Sequence, residues 1–129
     1  MGLLSALSGN ASEVDVSKVE QDLDAIMIDG EQVEHAFKLL RDLIVFTDKR
    51  LILIDKQGMT GKKSEYHSIP YRSISHFMTE SKGHFDRDAE MKIFISGRTE
   101  PLVKQFKDDG PIVAVHQVLV HEVRSCALL

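Results

Sequence analysis

The chain has 129 residues and a mass of 14.5 kDa, with 43% hydrophobic and 28% charged side chains, which suits one globular domain and leaves no room for two. A chain of this size buries roughly two thirds of its unfolded surface, enough for a core that needs neither metal nor disulfide. Its single cysteine, Cys126, excludes an internal bridge and favours a reducing, cytoplasmic location. The 20 acidic against 16 basic side chains give a net charge of -4, so the molecule as a whole attracts neither nucleic acid nor an anionic membrane.

In chain order, Leu3, Leu4 and Leu7 fall on one side of a first helix that breaks at Gly9-Asn10, a pair suited to a helix C-terminus. This opening has no basic leader, so no secretory signal is expected. Gly2 sits where a myristoylated glycine would, but that signal wants Ser or Thr where Ala6 stands. A second helix follows, with Ser12 as a candidate cap and Ser17-Lys18-Val19-Glu20 as a capping box. Val16, Val19, Leu23 and Ile26 share its apolar face, opposite Glu20 and Asp22, and Asp29-Gly30 closes it.

From Gln32 the period changes to two. Val33, His35, Phe37 and Leu39 alternate with Glu34, Ala36, Lys38 and Leu40, as in a half-buried strand. Arg41-Asp42 interrupts the run. Leu43 to Thr47 and Arg50 to Asp55 are two β-rich segments joined by Asp48-Lys49, the length of a tight hairpin. Their apolar runs, Leu43-Ile44-Val45-Phe46 and Leu51-Ile52-Leu53-Ile54, are strand-sized and far short of the roughly 20 residues that span a bilayer.

The glycines of Gln57-Gly58-Met59-Thr60-Gly61 mark a turn, and Lys63 to Ile69 is a strand ended by Pro70. Ser73 to Glu80 and Ala89 to Ile95 are further strands across a Gly83-His84-Phe85-Asp86 turn, with Met91, Ile93 and Ile95 facing one way and Glu90 and Lys92 the other. After the Ser96-Gly97-Arg98 turn, Pro101 belongs at a strand start and Leu102 to Phe106 completes about seven strands. Asp108-Asp109-Gly110-Pro111 then starts a helix, in which Ile112, Val115, Leu119, Val123 and Cys126 repeat at helical spacing. This order describes an α+β, mainly β, domain in which a helix plugs or covers a curved sheet. A helical segment over 1–30 precedes the main body over 31–129, and the two form one structural domain.

The run Phe46-Thr47-Asp48-Lys49-Arg50-Leu51-Ile52-Leu53-Ile54-Asp55-Lys56-Gln57-Gly58-Met59-Thr60-Gly61-Lys62-Lys63, with Glu65-Tyr66-His67-Ser68-Ile69-Pro70-Tyr71 after it, resembles the bacterial pleckstrin-homology domain family. Gly83-His84-Phe85-Asp86 and Ala89-Glu90-Met91-Lys92-Ile93 fit it as well. The resemblance runs from the second helix to the last. It implies a bent seven-stranded antiparallel barrel or orthogonal sandwich capped by a C-terminal helix. It also implies a cyclic homo-oligomer, for which a pentamer is one expected size, and a protein-interaction surface near strand ends of neighbouring protomers. Fold membership alone does not transfer a function.

Residue by residue, the chemistry is sparse. Lys56, Lys62 and Lys63 lie near two glycines and could donate to a phosphate, but a nucleotide loop ending at Gly61-Lys62 needs glycine in place of Lys56 and Ser or Thr in place of Lys63. The loop Lys38-Leu39-Leu40-Arg41-Asp42, where phosphoinositide-binding relatives carry their basic cluster, is short and weakly basic. The histidines His35, His67, His76, His84, His116 and His121 lack metal-ligand spacing. His116 and His121 stand about 140° apart around the last helix. Asp86, Asp88 and Glu90 lack the glycine of a calcium loop. Cys126 lies on the apolar face of its helix, where an inert thiol is expected, and neither Ser68 nor Ser75 stands in a nucleophile elbow.

The sequence therefore leads to a non-enzymatic module with no catalytic residue, no metal site and no cofactor, which assembles with itself and binds a further protein partner, with no nucleic acid. Exposed strand edges and polar loops would form its contacts. Lys56, Gln57, Thr60, Lys62, Lys63 and Arg87 are the candidate partner-binding residues, and the N-terminal helices could instead cover a sheet edge. A membrane is not expected as a partner. The alternative is peripheral membrane or anionic-ligand binding through Lys56, Lys62 and Lys63.

Overall fold

A computed structural model of the chain describes residues 15–39, 42–57, 63–81, 89–106 and 109–127, of which 56, 57, 63, 64, 81, 109–111, 126 and 127 by their backbone alone. The expected helix over Leu3 to Leu7, the cap at Ser12, the 83–86 turn and the side chain of Cys126 lie outside that description.

The helix α1, Val16–Leu23, is capped by Asp15, whose Oδ1 accepts from the Ser17 N–H at 3.0 Å. The expected capping box is thereby corrected: Ser17 is already helical, and the carboxylate before it satisfies the free N–H. The helix also stops before Asp29-Gly30. The N–H groups of Ile26 and Met27 both reach back to the Leu23 carbonyl, at 2.9 and 3.1 Å. Asp29-Gly30 belongs to a separate turn, in which the Glu31 N–H meets the Ile28 carbonyl at 3.1 Å and Gly30 takes φ +83°, a conformation that a type II turn assigns to glycine. The apolar face was read correctly, since Val16, Val19, Leu23 and Ile26 pack together on Val33, Ala36, Val45, Ile52 and Ile54.

Those partners belong to an antiparallel sheet in the order β1-β2-β3-β4, formed by Val33–Lys38, Asp42–Thr47, Arg50–Gln57 and Lys63–Pro70. A 3-10 turn, Tyr71–Ser73, leads from Pro70 into a second antiparallel sheet, formed in the order β5-β6-β7 by Ile74–Ser81, Ala89–Ile95 and Leu102–Phe106. The helix α2, Asp109–Ala127, follows. The expected seven strands are present among the described residues, arranged as two sheets rather than a closed barrel.

The central core lies where the sheets and α2 converge. Phe37, Ile44, Phe46, Leu51 and Ile69 from the first sheet meet Ile74, Met91, Ile93 and Phe106 from the second and Ile112, Val115 and Leu119 from α2. The first sheet is thus buried on both faces, by this core and by α1. That is why its two central strands, β2 and β3, carry unbroken apolar runs rather than alternating ones. The expected edge-covering role of the N-terminal helices is corrected for α1, which covers a face.

Simple alternation also fails in β1. Its register shifts between Val33 and His35, opposite Thr47 and Phe46, and the extra residue changes which way the following side chains point. Val33 and Ala36 therefore both face α1, while Phe37 enters the central core. Between the sheets, Lys104 Nζ on β7 lies 3.1 Å from Asp42 Oδ2 on β2. Asp55, directly across from Asp42, has its carboxyl pushed up, first by the Asp42 charge and then by burial.

Candidate functional site

The β2–β3 turn organises one end of the molecule. No non-glycine residue among those described has positive φ, so the two-residue Asp48-Lys49 turn is not the mirror-image type that such hairpins usually adopt. It is closed instead by the Thr47 side chain, whose Oγ1 accepts from the N–H groups of Lys49 at 3.0 Å and Arg50 at 2.9 Å. The same hydroxyl donates to Glu31 Oε2 at 2.6 Å. Arg50 completes the contact through Nε to Glu31 Oε2 and Nη2 to Oε1, both at 2.9 Å, a bidentate pair. Its Nη2 also donates to the Ile26 carbonyl at 2.6 Å, and its Nη1 to Ser68 Oγ at 2.8 Å. Burial alone would raise the Glu31 carboxyl, but donors from Arg50, Thr47 and the Ile28 N–H outweigh it and hold the group below the usual carboxylate range. The segment after α1 is clasped to the sheet by this cluster.

On the other side of Thr47, its carbonyl accepts from the Tyr71 hydroxyl at 2.6 Å. Burial pushes the Tyr71 phenol upward, and the charges of Glu122, Glu34, Asp48 and Glu31 add to this. Tyr71 forms part of the wall of an open cavity of about 470 Å³, lined also by Asp48, Lys49, Pro70, Arg72, Glu122 and Ser125. Glu122 stands on the inward stripe of α2 and is only 9% exposed. No ion pair reaches its carboxyl among the described residues. Burial first, then the Glu34 contact and the charges of Glu34 and Asp48, push it up to about 8. The arrangement favours the protonated form of the Glu122 carboxyl. It sets no nucleophile beside a base among the described residues.

The residues singled out from sequence fall elsewhere. Lys56 and Gln57 end β3, opposite Ser64 and Lys63 on β4, and at the usual strand rise Lys56 is about 20 Å from Arg50. Thr60, Lys62 and Arg87 lie outside the described residues, as do the side chains of Lys56, Gln57 and Lys63. The structure instead brings together Asp48, Tyr71 and Glu122, which the sequence reading passed over as site residues. One signal was available: after Ile112, Val115 and Leu119, the next inward position of the helix is an acid. Among the described residues no group of three His, Cys, Asp or Glu could hold a metal ion. Three histidines pack on phenylalanine rings: His35 on Phe37, His76 on Phe94 and His116 on Phe77, with ring centres 6.2, 4.1 and 5.0 Å apart.

Two bent antiparallel sheets of four and three strands, closed by a C-terminal helix, define a pleckstrin-homology-like domain. The chain belongs to the bacterial PH domain family, whose model matches residues 2–123. It is 58% identical over 120 residues to the uncharacterized protein YjqA of Bacillus subtilis (strain 168), covering 92% of this chain and 96% of that protein. Among solved structures, a pleckstrin homology domain from Shewanella amazonensis SB2B superposes with a TM-score of 0.80 at 53% identity, covering 95% of this chain and 98% of the other. A DUF1696 family protein with a pleckstrin-homology domain from Shewanella loihica PV-4 gives 0.76 at 49% identity, covering 88% and 97%. These names specify a domain and no activity. No helix among the described residues is long and apolar enough to cross a membrane.

Proposed function

We propose that the chain is a non-enzymatic, cytoplasmic interaction module that assembles with copies of itself into a closed ring. The observation that carries this reading is the open outer face of the second sheet. Register places Met78, Lys92 and Val103 side by side across β5, β6 and β7, with Met78 47% and Val103 46% exposed. Phe94 and His76 stack in the adjacent row. The outward side of α2 carries a second, unlike apolar pair, exposed Val113 and Val120. A ring requires two different patches that meet head to tail, which a single self-complementary patch does not supply. Both are ordinary-sized for a surface, and together they fit a contact that leaves the protomer soluble. Lys56, Gln57, Thr60, Lys62, Lys63 and Arg87 are then free to serve a separate protein partner on the assembled ring.

Light scattering at micromolar chain concentration tests the assembly. The expected mass is a multiple of 14.5 kDa, falling to the single-chain mass in a Met78→Lys, Val103→Lys double variant that keeps its circular dichroism. A strictly monomeric native chain overturns the proposal.

A further inference from the structure

We propose that the cavity between the 3-10 turn and α2 binds a small zwitterion of amino-acid type, with its ammonium group on Glu122 and its carboxylate on Arg72. This goes beyond the self-assembly reading and does not depend on it.

The cavity forms where α2 packs against the 3-10 turn, beside the β2–β3 turn. Its volume of about 470 Å³ lies within the range of about 300–1,000 Å³ usual for small-molecule sites. Most polar groups in its wall are already engaged within the chain. Asp48 Oδ1 accepts from the Gln32 N–H at 2.9 Å, and its Oδ2 lies 3.8 Å from Lys49 Nζ. The Tyr71 hydroxyl donates to the Thr47 carbonyl at 2.6 Å, and the Ser125 hydroxyl to the His121 carbonyl at 2.9 Å. Glu122 and Arg72 are the exceptions. Among the described residues neither makes an ion pair, with the other or with any third group.

The two differ in what that isolation costs. Arg72 is exposed, so water solvates its guanidinium. Glu122 is only 9% exposed, and a buried carboxylate without a cation is strongly disfavoured. Its carboxyl is pushed up accordingly, with burial as the first cause and Glu34 and Asp48 adding to it. An ammonium group docked against Glu122 offsets that desolvation and lets the carboxyl ionise.

Arg72 sets the other half of the ligand. A guanidinium presents a planar fork of N–H donors that matches a carboxylate bidentately. Its backbone is held in place by the turn, since Tyr71 before it and Ile74 after it are both buried. A dianionic phosphate suits the wall less well, because Asp48 brings a negative charge to it. A ligand with a positive charge alone would meet the unpaired Arg72, and one with a negative charge alone would leave Glu122 as it is. A molecule that carries both answers each.

Isothermal titration calorimetry at pH 7 tests the site with three amino acids of increasing charge separation: glycine, γ-aminobutyrate and ε-aminocaproate. n-Butylamine and butyrate, with one of the two charges each, serve as comparison. At least one of the three is expected to bind the native chain about tenfold more tightly than either single-charge probe. Glu122→Gln keeps the shape of the buried side chain and removes its charge, and Arg72→Gln removes the exposed cation. Each is expected to weaken binding about tenfold or more with an unchanged circular dichroism spectrum, and Arg72→Gln carries the comparison if Glu122→Gln does not fold. Absence of binding by all three amino acids, no preference over the single-charge probes, or affinity retained in either folded variant overturns the proposal.

Discussion

The β1–β4 sheet carries α1 on one face and the shared core on the other, whereas the β5–β7 sheet meets the core with one face and leaves the other to solvent. The sequence differs accordingly. In the first sheet, consecutive residues of β2 and β3 are buried whichever way they point. In the second, Ala89, Met91 and Ile93 face inward while Glu90, Lys92 and Phe94 stay partly exposed. Double cover makes a sheet intolerant of change on both sides. Single cover leaves one side whose composition can answer to a partner without cost to the fold.

Three measurements by urea denaturation at fixed chain concentration would sharpen or break this contrast. The largest effect is expected from Arg50→Ala, which strands the buried Glu31 carboxylate in the segment after α1 and should cost about 3–5 kcal/mol. A loss below 1 kcal/mol would mean that the clasp does not hold the α1 cover in place. Next, Ile52→Ala, beneath α1, should cost about 3 kcal/mol, while Met78→Ala on the open face should change the stability of the isolated protomer by no more than about 0.5 kcal/mol. Equal losses at the two sites would erase the difference between the sheets. The smallest effect is expected from Asp15→Ala, which removes the α1 cap at a cost of about 1 kcal/mol. A neutral result there would return the capping role to Ser17.

How much of this was legible in the sequence depends on how local the cause is. β6 and β7 were read to their end residues, Ala89–Ile95 and Leu102–Phe106, because a one-sided strand writes its period into neighbouring residues. The end of α1 was misplaced because Ile26 continues the apolar face from an irregular turn, where packing mimics the helical period. The irregularity in β1 left no mark either, since Val33 and Ala36 read as ordinary strand residues until their partners are known. The cavity was illegible for a stronger reason. Its walls come from the β2–β3 turn, the end of β4, the 3-10 turn and α2, and each acid in it reads alone as surface charge. Only Glu122, placed among apolar helical positions, departed from its surroundings.

Thr47 has a consequence for how this domain can vary. Its hydroxyl closes the Asp48-Lys49 turn and meets Glu31, while its carbonyl holds Tyr71 in the wall of the cavity. Every one of those bonds depends on the turn having its present length, because one added residue would carry Lys49 and Arg50 out of the hydroxyl's reach and Arg50 away from Glu31. Loops at domain surfaces are ordinarily where length changes accumulate and where tags or inserted domains are accepted. This connection is closed to such traffic, so a fusion or circular permutation of the domain would have to open it at another surface loop.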